Sequence, residues 1–289
     1  MEKTVGIAGL GIMGGAIAVN LMERGWRVSG YDVSAERLNE MAGLGVIAAK
    51  DVADLTRNAP IILTSLPTPD AAQQVAAEIA ASGAPVRIVA EMSTLAISDK
   101  LRFKERLDPA GHIALDCPLS GTGAQAKARD LVVYASGDSN AIAQCRPLFD
   151  DFAKQSADLG VYGNGSRMKF VANLLVAIHN VAAAEAMLVA ERGGLDPALV
   201  IEMIGPGAGG SRMFQMRAPM MAKGEYEPAT MRMAMWKKDM DIIGAFADGL
   251  DCPTPLFSLT KPIYAQALTM GLGEKDTAAV FEVLKQQDR

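Results

Sequence analysis

The chain has 289 residues, of which half are hydrophobic and 21% charged, and its formal net charge is −5. That length is long for a single core and suits two domains. Lys and Arg are scattered, adjacent only at Lys237-Lys238, so there is no basic field to hold nucleic acid or another polyanion.

The first segment carries the most information. Val5-Gly6-Ile7-Ala8 is a short apolar run that ends in Gly9-Leu10-Gly11-Ile12-Met13-Gly14, and the stretch 16–24 continues at helical spacing. The pattern predicts strand, tight turn and helix. Gly9 permits the turn, Gly11 leaves the backbone open to a pyrophosphate, and Gly14 lets the helix pack close to the strand. The helix N-terminus then offers N–H groups and the positive end of its dipole to the phosphates. Residues 27–31 read as the second strand, with Asp32 at its end, 18 residues after Gly14, where a carboxylate can bind both ribose hydroxyls. Together these predict dinucleotide binding. Asp32 would also repel a 2′-phosphate, and neither Val33 nor Ser34 supplies an arginine, so NAD is expected rather than NADP; Arg37, further along, softens that preference.

Strand and helix signals then alternate to about residue 160. A helix starts from the N-cap Ser34, a short strand lies near Val46, and a helix starts at Asp51. A buried strand over 60–66, a helix over 70–81, a strand over 86–91, a helix over 96–107 and a strand over 113–116 follow, with further strands near 131–135 and 154–159. Such alternation implies a mostly parallel sheet covered on both faces, with ligands beyond the carboxyl ends of its strands. From Ser166 the strand signal vanishes. One long helix over about 166–192 ends at Gly193-Gly194, Asp196-Pro197 opens the next, and further helices run near 212–222, 230–249, 255–270 and 276–286. The expected fold is therefore α/β: a Rossmann-type doubly wound sheet over residues 1–162, then an all-helical domain over 163–289, joined by the long interdomain helix.

Lys3 followed by an apolar stretch around Ala16-Ile17-Ala18 superficially resembles a signal peptide, but glycines at 6, 9, 11, 14 and 15 suit a turn better than an apolar signal helix. Residues 170–190 are the most apolar long segment. Asn173, His179, Asn180 and Glu185 interrupt it, so it reads as a helix buried in protein rather than in lipid. Cys117, Cys145 and Cys252 form no CxxC and leave an odd count, which suits reduced thiols in a cytoplasm, each a small core filler.

Several groups are placed for chemistry. Leu66-Pro67-Thr68-Pro69 and Glu91-Met92-Ser93-Thr94 follow later strands, where hydroxyls can meet a cofactor's ribose or cap the next helix. Asp116-Cys117-Pro118-Leu119-Ser120-Gly121-Thr122-Gly123 ends the next strand, and its small and hydroxyl residues expose backbone N–H groups in a nest suited to a carboxylate. Lys169 and Asn173, four residues apart, share one helix face. A lysine on a partly buried face can exchange a proton near neutral pH, although a solvated lysine is the commoner arrangement. His112 and His179 stand apart from any carboxylate cluster, and no metal-ligand spacing is visible. Eight methionines between 213 and 240 are adaptable core, or else the pliant wall of a pocket or subunit contact.

The order of these motifs resembles the β-hydroxyacid dehydrogenase family, which includes 3-hydroxyisobutyrate, tartronate semialdehyde and threonate dehydrogenases and is related to 6-phosphogluconate dehydrogenase. The likeness covers essentially the whole chain. The nucleotide signature looks like Gly9-Leu10-Gly11-Ile12-Met13-Gly14, the substrate loop like 116–121, the catalytic stretch like 165–173, and a late cofactor motif like Lys238-Asp239-Met240. The resemblance implies that Lys169 is the acid/base, that Asn173 helps hold the substrate, that Ser120 and Gly121 bind its carboxylate with Thr122 beside them, and that Lys238 lies near the nicotinamide. Leu66, Pro67 and Thr94 join the cofactor residues. Two departures stand out: Thr122 occupies a position usually held by a second glycine, and Arg129 replaces a glycine further along that loop. Thr122 either narrows the pocket or offers one more hydroxyl. Ser211 and Arg212 could also reach the pocket.

The expected activity is hydride transfer between NAD and a small 3-hydroxy acid, in a cytoplasmic homodimer or homotetramer built through the helical domain, with no nucleic-acid or membrane partner. The alternatives are a semialdehyde or imine reductase and a dinucleotide-binding module without turnover. An intact Lys169–Asn173 pair counts against the last, because a binding module has no use for a proton donor there.

Overall fold

The computed structural model describes residues 3–287. Two compact units divide it, Met1–Lys169 and Phe170–Arg289.

In the first unit, strands β1 (Thr4–Ala8), β2 (Arg27–Tyr31), β3 (Ile47–Ala48), β4 (Ile61–Thr64), β5 (Ile88–Glu91) and β6 (Ile113–Asp116) form one sheet in the order β3-β2-β1-β4-β5-β6. Every pairing in it is parallel. Helices α1 (Ile12–Glu23), α2 (Ala35–Gly43), α3 (Val52–Asn58), α4 (Pro69–Ala80) and α5 (Ile97–Leu107) cross between the strands. Alternate residues feed opposite layers: Ile61 and Leu63 pack with Ile17 and Leu21, while Ile62 packs with Leu55, Val75 and Phe103. A sheet buried on both faces needs apolar residues on both sides of a central strand, and Ile61, Ile62 and Leu63 supply them before the strand ends at Thr64. Each such side chain contributes about 1.5–3 kcal/mol by leaving water. Strand order reverses between β1 and β4, so the crevice for a ligand opens beyond their carboxyl ends.

The strands expected near 131–135 and 154–159 do not extend this sheet. They are β8 (Val132–Ala135) and β9 (Gln155–Asp158), which pair with β7 (Leu119–Ser120) in a second sheet of order β7-β8-β9. Only Cys117 and Pro118 separate β6 from β7, far too few for the crossover of a dozen residues that would let β7 join the main sheet in parallel. The chain instead turns back, and β7 and β8 run antiparallel. Helices α6 (Gly123–Lys127) and α7 (Ser139–Phe152) complete this part.

Helix α8 (Asn164–Arg192) begins in the first unit and continues into the second, where α9 (Pro197–Ile204), α10 (Arg212–Lys223), α11 (Met233–Asp248), α12 (Pro255–Thr269) and α13 (Val280–Lys285) follow. By length and composition α8 could cross a membrane. Its asparagines are spent inside the protein: Asn180 Nδ2 donates to the Tyr264 hydroxyl and to the Thr277 carbonyl, each at 2.9 Å. Met213, Met221, Met233 and Met240 are core, whereas Met235 is exposed. Cys117 and Cys145 are buried as expected, and burial pushes the Cys145 thiol up to about 12. Cys252 is exposed and fills no core, because it lies in the turn after α11 rather than on a helix face.

Candidate active site

The glycine-rich turn has the geometry that a pyrophosphate needs. Gly9 sits at φ +91, and a Cβ there would overlap the Ser65 carbonyl; a Cβ on Gly14 would overlap the Gly9 carbonyl. Around Gly11, by contrast, a Cβ would meet nothing within 4 Å. Two glycines thus close the turn and the third leaves an open approach. Gly11 is also the N-cap of α1 and offers no side-chain cap, which leaves the first-turn N–H groups to a ligand. Ile12, beside it, is 65% exposed.

Asp32 follows β2 and has backbone partners: Oδ2 accepts from the Leu10 N–H at 2.8 Å and Oδ1 from the Ser34 N–H at 2.9 Å. Each oxygen keeps lone pairs for a ribose hydroxyl. Arg37 is folded onto the same turn, its Nε donating to the Leu10 carbonyl at 2.5 Å and its Nη1 paired with Glu40 at 2.6 Å. Gly15 makes room for it, since a Cβ there would overlap the guanidinium. These residues fit a dinucleotide.

The two hydroxyl loops resolve differently. Thr68 is the N-cap of α4, accepting from the Ala71 N–H. Ser93 Oγ accepts from the Leu66 N–H at 2.8 Å, so the β4 and β5 loops are tied together. The loop after β7 and helix α6 lie against the glycine turn and α1: a Cβ on Gly123 would come within 2.5 Å of Ile12 Cγ2, and Asn20 of α1 donates to the Ala126 carbonyl at 2.7 Å. Gly121 takes φ +136, a conformation that only glycine adopts freely. Thr122 is spent on a capping box. Its N–H and hydroxyl donate to Gln125 Oε1 at 3.0 and 3.3 Å, and its hydroxyl accepts from the Gln125 N–H. The expected extra hydroxyl is therefore engaged in the helix start, and Ser120 with Gly121 remain as donors. Ser211 likewise caps α10, accepting from the Phe214 N–H at 3.0 Å. Arg129 holds φ +56 where a glycine is usual, with its guanidinium on Glu23.

Lys169 and Asn173 lie one turn apart on α8, 7% and 4% exposed. Asn173 Nδ2 donates to Asp239 Oδ2 at 3.0 Å, and Lys238 Nζ lies 3.2 Å from Asp239 Oδ1. Asp239 thus joins two residues singled out from sequence, Asn173 on α8 and Lys238 on α11. Its own role was missed, although a buried acid between a lysine and an apolar helix stripe is a signal that could have found it. A second missed group is buried in the first unit: Glu91, Lys100, Asp116 and Ser166. Burial alone would push the Lys100 ammonium down, but the charges of Asp116 and Glu91 outweigh it and hold its pKa above the ordinary lysine value.

Comparison with known proteins gives a consistent result. Residues 4–163 match the model of the NAD binding domain of 6-phosphogluconate dehydrogenase. Residues 163–284 match the NAD-binding domain of NADP-dependent 3-hydroxyisobutyrate dehydrogenase. An L-threonate dehydrogenase of Cupriavidus necator is 30% identical, the alignment covering 98% of this chain and 96% of that one. The chloroplastic glyoxylate/succinic semialdehyde reductase 2 of Arabidopsis thaliana is 27% identical over 98% of this chain and 79% of its own. Among solved structures, the 3-hydroxyisobutyrate dehydrogenase of Mycobacterium tuberculosis, determined with L-serine, superposes with a TM-score of 0.89 at 25% identity, covering 99% of this chain and 100% of that one. With the glycine turn, the strand order and both family models in agreement, the chain belongs to the β-hydroxyacid dehydrogenase family and is an NAD(P)-dependent oxidoreductase.

Proposed function

We propose that the protein catalyses reversible hydride transfer between NAD and the alcohol carbon of a small 3-hydroxy acid, a compound like 3-hydroxyisobutyrate or a short sugar acid. The observation that carries this reading is Lys169, withdrawn from water on the same helix face as a buried, anchored Asn173. Bound NAD supplies the hydride acceptor. Gly9, Gly11, Ile12, Met13 and Gly14 would hold its pyrophosphate, Asp32 its adenosine ribose, and Leu66, Pro67, Thr94 and Lys238 the nicotinamide half. Lys169 removes the substrate's hydroxyl proton in oxidation and returns it in reduction, as a general acid–base. Asn173, fixed by Asp239, orients the hydroxyl. Ser120 and Gly121 bind the carboxylate, which points the carbinol C–H in one direction. Thr122 adds bulk rather than a donor and favours small acids.

The relatives named as semialdehyde reductases support a second reading on the same residues, in which the physiological direction is reduction of a short semialdehyde. The exposed Val171, Leu175 and Val189 of α8 support a homodimer or homotetramer through the helical unit. The reduced, unpaired cysteines suit a cytoplasmic protein.

The test is the initial rate of NADH formation on small 3-hydroxy acids and on their methyl esters. Charge-assisted hydrogen bonds contribute about 1.5–3 kcal/mol, so each ester is expected to lose at least about tenfold in kcat/KM. Equal values for acid and ester would show that the loop does not read a carboxylate.

A further inference from the structure

Behind the cofactor loops lies an ion triad with no access to water. Lys100, on the inner face of α5, is fully buried, as are Glu91 at the end of β5 and Asp116 at the end of β6. The Lys100 ammonium bonds the Glu91 carboxylate and lies 2.9 Å from Asp116 Oδ1. Burying three charges is expensive, and apolar residues of similar volume would often hold a core at least as well. What the triad adds is direction, because its carboxylates also bond the Ser93 loop and the first turn of α8.

Glu91 Oε1 accepts from the Ser93 N–H at 2.9 Å, and Ser93 Oγ in turn accepts from the Leu66 N–H. Asp116 Oδ2 accepts from the Ser166 N–H at 2.7 Å and its Oδ1 from the Ser166 hydroxyl at 2.8 Å. The Ser136 hydroxyl lies 3.3 Å from Asp116 Oδ2 and accepts from the Gly165 N–H at 2.9 Å. Tyr162, just before α8, donates to the Lys100 carbonyl at 2.9 Å. Ser166 is one helical turn before Lys169, and a helical side chain leans toward the N-terminal turn, so the position of Ser166 sets the position of Lys169.

We propose that Lys100 is a positioning residue for hydride transfer: through Glu91 and Asp116 it holds the Leu66 and Ser93 loops and the first turn of the helix that carries Lys169 as one rigid assembly. This rests on the reading of Lys169 as the acid/base. The triad acts only through other residues and touches no reacting atom.

The experiment uses the full chain with Ser166→Ala, Ser166→Thr, Glu91→Gln and Lys100→Met, and reads three quantities: steady-state constants, the NAD dissociation constant, and amide hydrogen exchange over 164–172. Ser166→Ala is expected to lower kcat about tenfold while KM stays within about twofold, the split that misplacement of a catalytic group produces. Exchange over 164–172 should quicken without NAD present, and Ser166→Thr, which keeps the hydroxyl, should restore both quantities. Glu91→Gln, which leaves the Lys100–Asp116 pair intact, should weaken NAD binding several-fold through the Ser93 and Leu66 loops. If Lys100→Met does not fold, the other three variants decide the matter. Unchanged kcat in Ser166→Ala, equal losses in Ser166→Ala and Ser166→Thr, unchanged exchange, or unchanged NAD binding in Glu91→Gln would each overturn the proposal. A Lys169→Ala variant that keeps full turnover would instead overturn the acid/base reading, with the exchange result still standing for or against the positioning role.

Discussion

At the scale of single residues, the proposed preference for NAD rests on Asp32 and Arg37. Asp32 places a carboxylate at the end of β2, and Arg37 is already paired with Glu40 and the Leu10 carbonyl, so it is a poor partner for a 2′-phosphate. One matching family model describes an NADP-dependent enzyme, which makes the comparison informative. kcat/KM measured with both cofactors should be higher with NAD, and a higher value with NADP would reverse the assignment. Asp239 is the second decisive residue. Replacing it by Leu leaves the Asn173 amide and the Lys238 ammonium without their carboxylate. The buried amide alone costs about 1–3 kcal/mol when unsatisfied. Asp239→Leu is therefore expected to lower both kcat and the urea midpoint; an unchanged midpoint would mean that the Asn173–Asp239 bond contributes nothing to the fold.

At the scale of elements, the start of α8 is set by one glycine. A Cβ on Gly165 would overlap the Tyr134 carbonyl and come within 2.7 Å of the Asp116 carbonyl and 3.0 Å of Pro118 Cδ. Gly165→Ala must push the helix start away from β6 and β8, and displacement of Lys169 by even a fraction of an ångström is expected to cost about tenfold or more in kcat. Kinetics that match the parent would show that α8 tolerates the shift. Much of this element was legible in sequence because its signals are local: Gly163-Asn164-Gly165 marks a turn, and the apolar run after it marks a long helix. The main sheet was legible for the same reason, through the apolar run Ile61-Ile62-Leu63 of β4 and the glycine turn after β1. The second sheet was not, since β7 is only two residues long and the partner that β8 takes is a matter of topology rather than of propensity. The capping box at Thr122 was hidden by its spacing, Thr-x-x-Gln, inside a loop read for its glycines. Lys100 was invisible because a lysine on a helix with Lys104 and Arg106 reads as solvated, and only the fold shows the two acids that face it.

At the scale of the whole molecule, one helix carries the proposed chemistry through both units: Lys169 is the last residue of the first and Asn173 the fourth of the second. Each unit carries its own part of the proposed machinery: the glycine turn and the 119–123 loop lie in the first, Asp239 and Lys238 in the second. The claim that binds them is that Lys169 moves the proton. The most direct measurement compares the parent with Lys169→Ala on the same small 3-hydroxy acid, recording kcat from pH 6 to 10 beside the NAD dissociation constant. A general acid–base contributes about a hundredfold or more, so kcat should fall by at least that factor while NAD binds as before. Near-normal turnover by Lys169→Ala across that range would contradict the mechanism at its central residue.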